Sequence, residues 1–209
     1  MASPRPDGVP PVWFTVPDGF HSLPIAATPD ERATLADEFV RELFPNGDDT
    51  LWAAAAPYYA GMGELMGSAG LEYSAVGLFA RDEGGVAHCA FHVGAWESGH
   101  PSVEAAGTGI REVLVRDPTN DVRWLELPCG PAVSCTTLRE FTVPAELAAD
   151  GQETTLRTGQ IQVHVPFPTG PYTAVFTLDT AATDYWGEFC DMTAAVLQTV
   201  GFAVPSPQE

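Results

Sequence analysis

The sequence contains no lysine, and its nine basic residues are all arginines. The missing amine excludes a Schiff-base lysine and the lysine of a phosphate-binding P-loop. Basic residues are also few, because 9 stand against 28 acidic residues and the formal net charge is −19. Nucleic-acid binders and proteins that dock on anionic membranes gain affinity from basic side chains, so this balance excludes both classes.

Long apolar runs are also absent, and we expect no signal peptide. No run approaches the roughly 20 apolar residues of a membrane-spanning helix, and prolines follow Met1 where a signal peptide has its apolar core. We therefore expect a cytoplasmic protein, in which the four cysteines stay reduced. The acidic residues are dispersed along the chain, which fits either a solvated surface or an acidic face that meets a basic partner.

The first part of the chain predicts a short strand and two helices. Thr28 and Pro29 mark the start of the first helix, because threonine caps helices and proline suits the first helical position. The second helix is expected to follow a cap at Thr50, with a kink or break at Pro57. The predicted bounds are Val12–Val16 for the strand, a helix that ends before Pro45 and a helix that runs to about Met66.

The rest of the chain alternates in polarity, as strands of a half-buried sheet do. Tight turns between neighbouring strands favour hairpins and therefore an antiparallel sheet. The segment Ser102–Val115 is ambiguous, because helical spacing of apolar residues competes with Gly107 and Gly109. Thr183–Val200 carries the wide apolar stripe of a helix that packs on a sheet. The predicted strands are Leu71–Ala80, Val86–Trp96, Asp121–Cys129, Ala132–Val143, Gly159–Pro166 and Tyr172–Asp179.

This order predicts an α+β fold, with a single mainly antiparallel β-sheet flanked by helices in an α/β/α sandwich. The C-terminal helix is expected to pack on the sheet. One domain is expected over residues 12–202, between a disordered tail at 1–11 and a frayed tail at 203–209.

The strand Thr173–Asp179, the helix after it with Trp186 and Phe189, and the segment Val122–Val133 match a known pattern. With the element order, they resemble the PsbP-like α/β/α sandwich, in particular its uncharacterised actinobacterial type. The resemblance implies a role in binding, scaffolding or assembly. It implies no shared catalytic motif, and a fold supports many functions.

Metal and thiol chemistry have weak support. If His88 and His92 share one face of a strand, their Cα atoms lie roughly 13 Å apart, which is too far to share a zinc ion easily. Cys129 and Cys135 are too widely spaced for the usual zinc or redox pair, so reduced core thiols are favoured, and a disulfide or a reactive thiol is the alternative. We expect no metal and no cofactor.

Catalytic motifs are equally weak, and no catalytic residue is predicted. A triad can be assembled on paper, but no Gly-x-Ser-x-Gly elbow supports it. Its candidates are Ser134 or Cys135, His164 or His92, and Asp179 or Glu140. The glycines of Gly61–Gly67 and Gly107–Gly109 lack the lysine of a phosphate loop, so close-packed turns are favoured there.

Binding residues are predicted on the sheet and on one loop. Arginines on an outer strand face could bind a partner or a small anion, or simply pair with neighbouring carboxylates. Two aromatics on the stiff loop 166–172 could anchor a partner or cover the core. The candidates are Arg123, Arg139, His92, His164, Phe167 and Tyr172.

The leading hypothesis is a non-enzymatic cytoplasmic protein-binding or assembly protein with a basic protein as its partner. A secretion accessory, a chaperone-like adaptor or an immunity-type protein would fit. The alternative is a small-molecule-binding protein or a hydrolase-type enzyme with a pocket between sheet and helices. A cavity of a few hundred Å³ on which two of His92, His164 and Arg139 converge would favour that alternative.

Overall fold

The computed structural model describes residues 9–82, 84–146 and 151–202. Most of the two predicted tails, at 1–8 and 203–209, lies outside the described residues, whereas Val9 packs against the main core. The elements in chain order are β1 (Phe20–Ser22), α1 (Pro29–Leu43), α2 (Asp49–Ser68), β2 (Leu71–Ala80), β3 (Val86–Glu97), α3 (Val103–Leu114), β4 (Asp121–Leu127), β5 (Gly130–Val143), β6 (Thr154–Pro166), β7 (Tyr172–Thr180) and α4 (Trp186–Gln198).

The seven strands form one antiparallel sheet in the order β1-β2-β3-β7-β6-β5-β4. The last strand of the chain, β7, lies in the middle, where it joins the β2–β3 hairpin to the β4–β5–β6 meander. Four α-helices in the described part of the chain surround this sheet, so the predicted α+β fold is confirmed. Among the described residues, none of the helices is both long and apolar enough to cross a membrane.

The two faces of the sheet differ in chemistry, because alternate residues of a strand point to opposite sides. One side, the packed face, carries Phe91, Val163 and Phe176, which share one core with Phe189 of α4. The other side, the polar face, carries the alternating positions His92, Gln162 and His164. The helix α3 covers the β4–β6 part of this polar face.

The helices α1 and α2 pair beside β1 and β2 around a small second core that includes Phe39 and Val40. Thr28 caps α1 as predicted, since its hydroxyl accepts the Glu31 N–H at 3.3 Å. The cap of α2 is Asp48 and not Thr50, and Pro57 does not break this helix of 20 residues. Packing against α1 outweighs the single backbone hydrogen bond that proline removes.

The predicted strand Val12–Val16 is wrong. Within it only Trp13 makes a ladder contact, to Gly201 after α4. Its apolar alternation serves core packing instead, because the Phe14 ring lies 5.3 Å from Tyr73 and 5.5 Å from Phe176 between ring centroids.

The ambiguous segment Ser102–Val115 is a helix, which Ser102 caps by accepting the Ala105 N–H at 3.2 Å. Glycine is required at position 107 because the Trp124 ring packs against it: a Cβ atom there would lie 2.6 Å from this ring. The glycines of Gly61–Gly67 also lie inside a helix, so the expected turns are wrong at both places.

Candidate functional site

His92 lies on the polar face, where two separate pairs of polar side chains are in contact. Its Nδ1 is 2.8 Å from the Ser74 hydroxyl, and Gln160 donates to the Asp179 carboxylate at 2.8 Å. Burial lowers the pKa of His92, and the nearby Asp179 carboxylate partly opposes that shift. Ser74 is only 1% exposed. Its hydroxyl is therefore closed to a substrate, and its contact with His92 is structural.

The two predicted arginines lie far apart. Arg123 faces α4 and forms an ion pair with Asp121 at 2.6 Å, which raises the pKa of Arg123. Arg139 lies at the exposed end of β5, six residues beyond the Val133 that pairs with His164, or about 20 Å along the strand. Arg139 and His164 therefore do not converge in one pocket.

The aromatic loop after β6 turns inward. Phe167 is 1% exposed, with its ring centroid 4.4 Å from that of Phe202 and 6.0 Å from that of Tyr172. Tyr172 is half-buried beside it. The structure thus corrects the prediction of Phe167 as a binding anchor, because this ring covers one end of the core.

All four cysteines are free thiols, and the alternative of a Cys129–Cys135 disulfide is wrong. Burial raises the pKa of Cys89 to about 12 and raises the pKa of Cys129 and Cys190 as well. In the part of the chain that the structure describes, no three His, Cys, Asp or Glu side chains gather to hold a metal ion.

These thiols should react in two classes. Cys89 and Cys135 are buried, so we expect Ellman's reagent at pH 8 to modify only Cys129 and Cys190 in the native protein. In guanidinium without reductant, four thiols should react. Cys190→Ser should remove one of the faster thiols. Fewer than four thiols in denaturant would contradict the absence of a disulfide.

An acidic groove that sequence reasoning missed runs between α1 and the segment from Phe20 to Ile25. Its volume is 520 Å³. No arginine or histidine stands among the described residues that line it. Beside it, the imidazole of His21 lies 2.8 Å from the Glu42 carboxylate. The lining residues that matter here are Glu31, Glu38, Glu42 and Glu72 with Phe20, Leu35, Phe39 and Tyr73.

Three of the four glutamates of this groove show a recognisable spacing in the sequence. Glu31, Glu38 and Glu42 recur at a spacing that places them on one face of α1. Glu72 and Tyr73 come from β2, which only the tertiary structure brings to the same groove. Burial raises the pKa of Tyr73, and the Glu42 carboxylate adds to that shift.

A second concavity, the α3 cavity, lies between α3 and the polar face. Its volume is 370 Å³. His164 lines it together with His100 and aliphatic side chains of α3 such as Ile110 and Leu114. His92 and Arg139 do not line it, so only one of the three expected polar groups is present. Burial lowers the pKa of His164.

No protein-family model and no curated protein matches this sequence. A solved structure from Bacteroides thetaiotaomicron VPI-5482 is similar over 62% of this chain, with 11% sequence identity and a TM-score of 0.31. The match spans 42% of that protein's length, and at this level it supports no argument about function. The resemblance to the PsbP-like sandwich stays a prediction.

Proposed function

We propose that this protein is a non-enzymatic cytoplasmic binding or assembly protein that holds a basic segment of a partner protein in the acidic groove. The observation that carries the proposal is the groove itself: four glutamates surround 520 Å³ of open space, and the described lining residues include no positive charge.

The groove offers both halves of a site for arginine or lysine side chains. Carboxylates at its rim can accept charge-assisted hydrogen bonds, and a guanidinium can do so with two bonds at once. Leu35 and Phe39 supply apolar surface for the methylene stem of such a side chain. The groove therefore favours a segment with basic residues over a compact inorganic cation.

The overall charge supports the same partner. A net charge of −19 attracts a basic protein over long range and raises its association rate at low salt. We take the partner to be cytoplasmic as well, because four free thiols persist in a reducing compartment.

The test compares the affinity of two triple Glu→Gln variants for a fluorescent arginine-rich peptide. Neutralising Glu31, Glu38 and Glu42 to Gln should weaken binding about tenfold, since three exposed ion pairs contribute about 0.5 kcal/mol each. The matched control neutralises three exposed glutamates elsewhere and should change the affinity less than twofold. Its positions are Glu97, Glu104 and Glu112.

Fluorescence anisotropy at low and high salt measures both triple variants, and a glutamate-rich peptide of equal length serves as the negative ligand. Binding of the arginine-rich peptide should weaken as salt rises. Equal losses in the two triple variants would show that only net charge matters, and the proposed groove would be wrong. Absence of binding to the unmodified protein at low salt would also contradict the proposal.

A further inference from the structure

We propose that the α3 cavity is a second, independent binding site, which takes a small apolar molecule that carries a hydrogen-bond donor, such as an aryl or alkyl amine or alcohol. This inference goes beyond the acidic groove and does not depend on it, because the two sites share no lining residue.

The shape and walls of the cavity suit a small molecule. Its 370 Å³ lies in the range of ligand sites. Ala106, Ile110 and Leu114 of α3 form an aliphatic wall opposite His164 of β6. Few polar side chains line it, as in sites that recognise an apolar body with one polar end.

Among the described residues, two imidazole nitrogens beside this cavity lack a hydrogen-bond partner. The Nε2 atoms of His100 and His164 are closed off from solvent, and neither has a hydrogen-bond partner among the described residues. A buried polar atom without a partner costs about 1–3 kcal/mol, and such atoms call for a specific explanation. Both residues line the same cavity, so a turn of the two rings towards it would let one ligand satisfy both atoms.

The hydrogen bonds at Nδ1 of His100 determine whether its Nε2 donates or accepts. The Ser98 hydroxyl donates to the Pro171 carbonyl at 3.2 Å, and it also lies 2.8 Å from His100 Nδ1 and 2.9 Å from the Thr173 hydroxyl. A hydroxyl has one proton, so satisfying all three contacts requires both the Thr173 hydroxyl and Nδ1–H of His100 to donate to Ser98. Its Nε2 then presents a lone pair, which needs a donor from the ligand.

Charge selects against an anionic ligand. The protein carries a net charge of −19, which repels carboxylates over long range. Burial lowers the pKa of His164 and so disfavours a positive charge that would compensate this repulsion. An amine or an alcohol meets these conditions, whereas a carboxylate of the same shape does not.

Three probes with one aryl body test this choice: 2-phenylethylamine, 2-phenylethanol and phenylacetate. We expect the amine and the alcohol to bind and to shift the imidazole proton resonances of His100 and His164 in NMR titrations. Phenylacetate should bind at least tenfold more weakly. Equal binding of phenylacetate, or binding without shifts of these two resonances, would overturn the proposal, as would no binding of the amine and the alcohol.

Variants locate the site. Gly109 lines the cavity, and a side chain there would meet open space, so Gly109→Leu should fill the cavity without a clash and abolish binding. His100→Gln and His164→Gln should each weaken binding at least fivefold. The matched controls Gly61→Leu and His88→Gln lie outside the cavity and should leave binding unchanged.

Each outcome remains decisive if one variant is unstable. Thermal unfolding identifies folded variants, and His100→Gln replaces His164→Gln if the latter does not fold. Binding that survives Gly109→Leu in a folded protein would overturn the proposal. Gly109→Leu should also leave the arginine-rich peptide bound in the acidic groove, so that failure of one site can be told from failure of the other.

Discussion

Replacing Phe167 with alanine is expected to lower the free energy of unfolding by about 3–5 kcal/mol, the usual cost of truncating a buried phenylalanine. The ring is 1% exposed and lies against Phe202 and Tyr172, so its removal leaves a cavity that its neighbours cannot fill. Urea denaturation, analysed for midpoint and slope, measures this change.

The matched control is Phe141→Ala, because Phe141 is an aromatic residue on β5 that is 47% exposed. We expect this control to cost less than about 1 kcal/mol. A surface anchor at position 167 would behave in the opposite way, with normal stability and weakened partner binding. Unchanged stability of Phe167→Ala would therefore contradict the buried position of this ring.

Gly63→Ala and Gly61→Ala, two residues apart in α2, are expected to change stability in opposite directions. A Cβ atom on Gly63 would lie 2.1 Å from the Pro24 carbonyl oxygen, which is backbone and cannot rotate away. The resulting overpacking should cost about 3 kcal/mol, at the upper end of the usual range. Gly61 has no neighbour within 4 Å of such an atom. Its replacement should stabilise the helix by up to about 1 kcal/mol.

Thermal unfolding of the two variants beside the unmodified protein checks this pair. Both substitutions raise helix propensity equally, so the difference between them isolates the contact with Pro24. Equal stabilisation by both would show that α2 does not press on the Pro24–Ile25 backbone as the structure describes. Equal destabilisation would show that glycine at 61 has a role that its open surroundings do not explain.

Local signals predicted the elements well where capping and periodicity agreed. Thr28 and Pro29 start α1, and the alternation of Ile161 and Val163 with Gln162 matches the two faces of β6. These signals depend on neighbours along the chain, which a sequence displays directly. The wrong strand at Val12–Val16 failed for the opposite reason, because its apolar residues contact rings from distant strands.

The candidate sites were harder to predict. His164 was selected for its place on a polar strand face, and it does line the α3 cavity. His100, its companion, lies after β3 and shows no pattern that sets it apart from an ordinary loop histidine. Likewise, Glu72 joins the glutamates of α1 only because β2 passes beside that helix. Such groupings depend on strand order, which places β7 between β3 and β6.

The sequence by itself determined the strongly negative net charge, because its excess of carboxylates and its lack of lysine hold in any fold. It also determined the α+β class, since periodicity and turn residues act locally. Only the tertiary structure decided that Phe167 lies in the core, that Gly63 packs against the Pro24 backbone and that His100 and His164 line one cavity. These facts depend on which surfaces meet when the sheet and helices pack, and packing joins residues that are far apart along the chain.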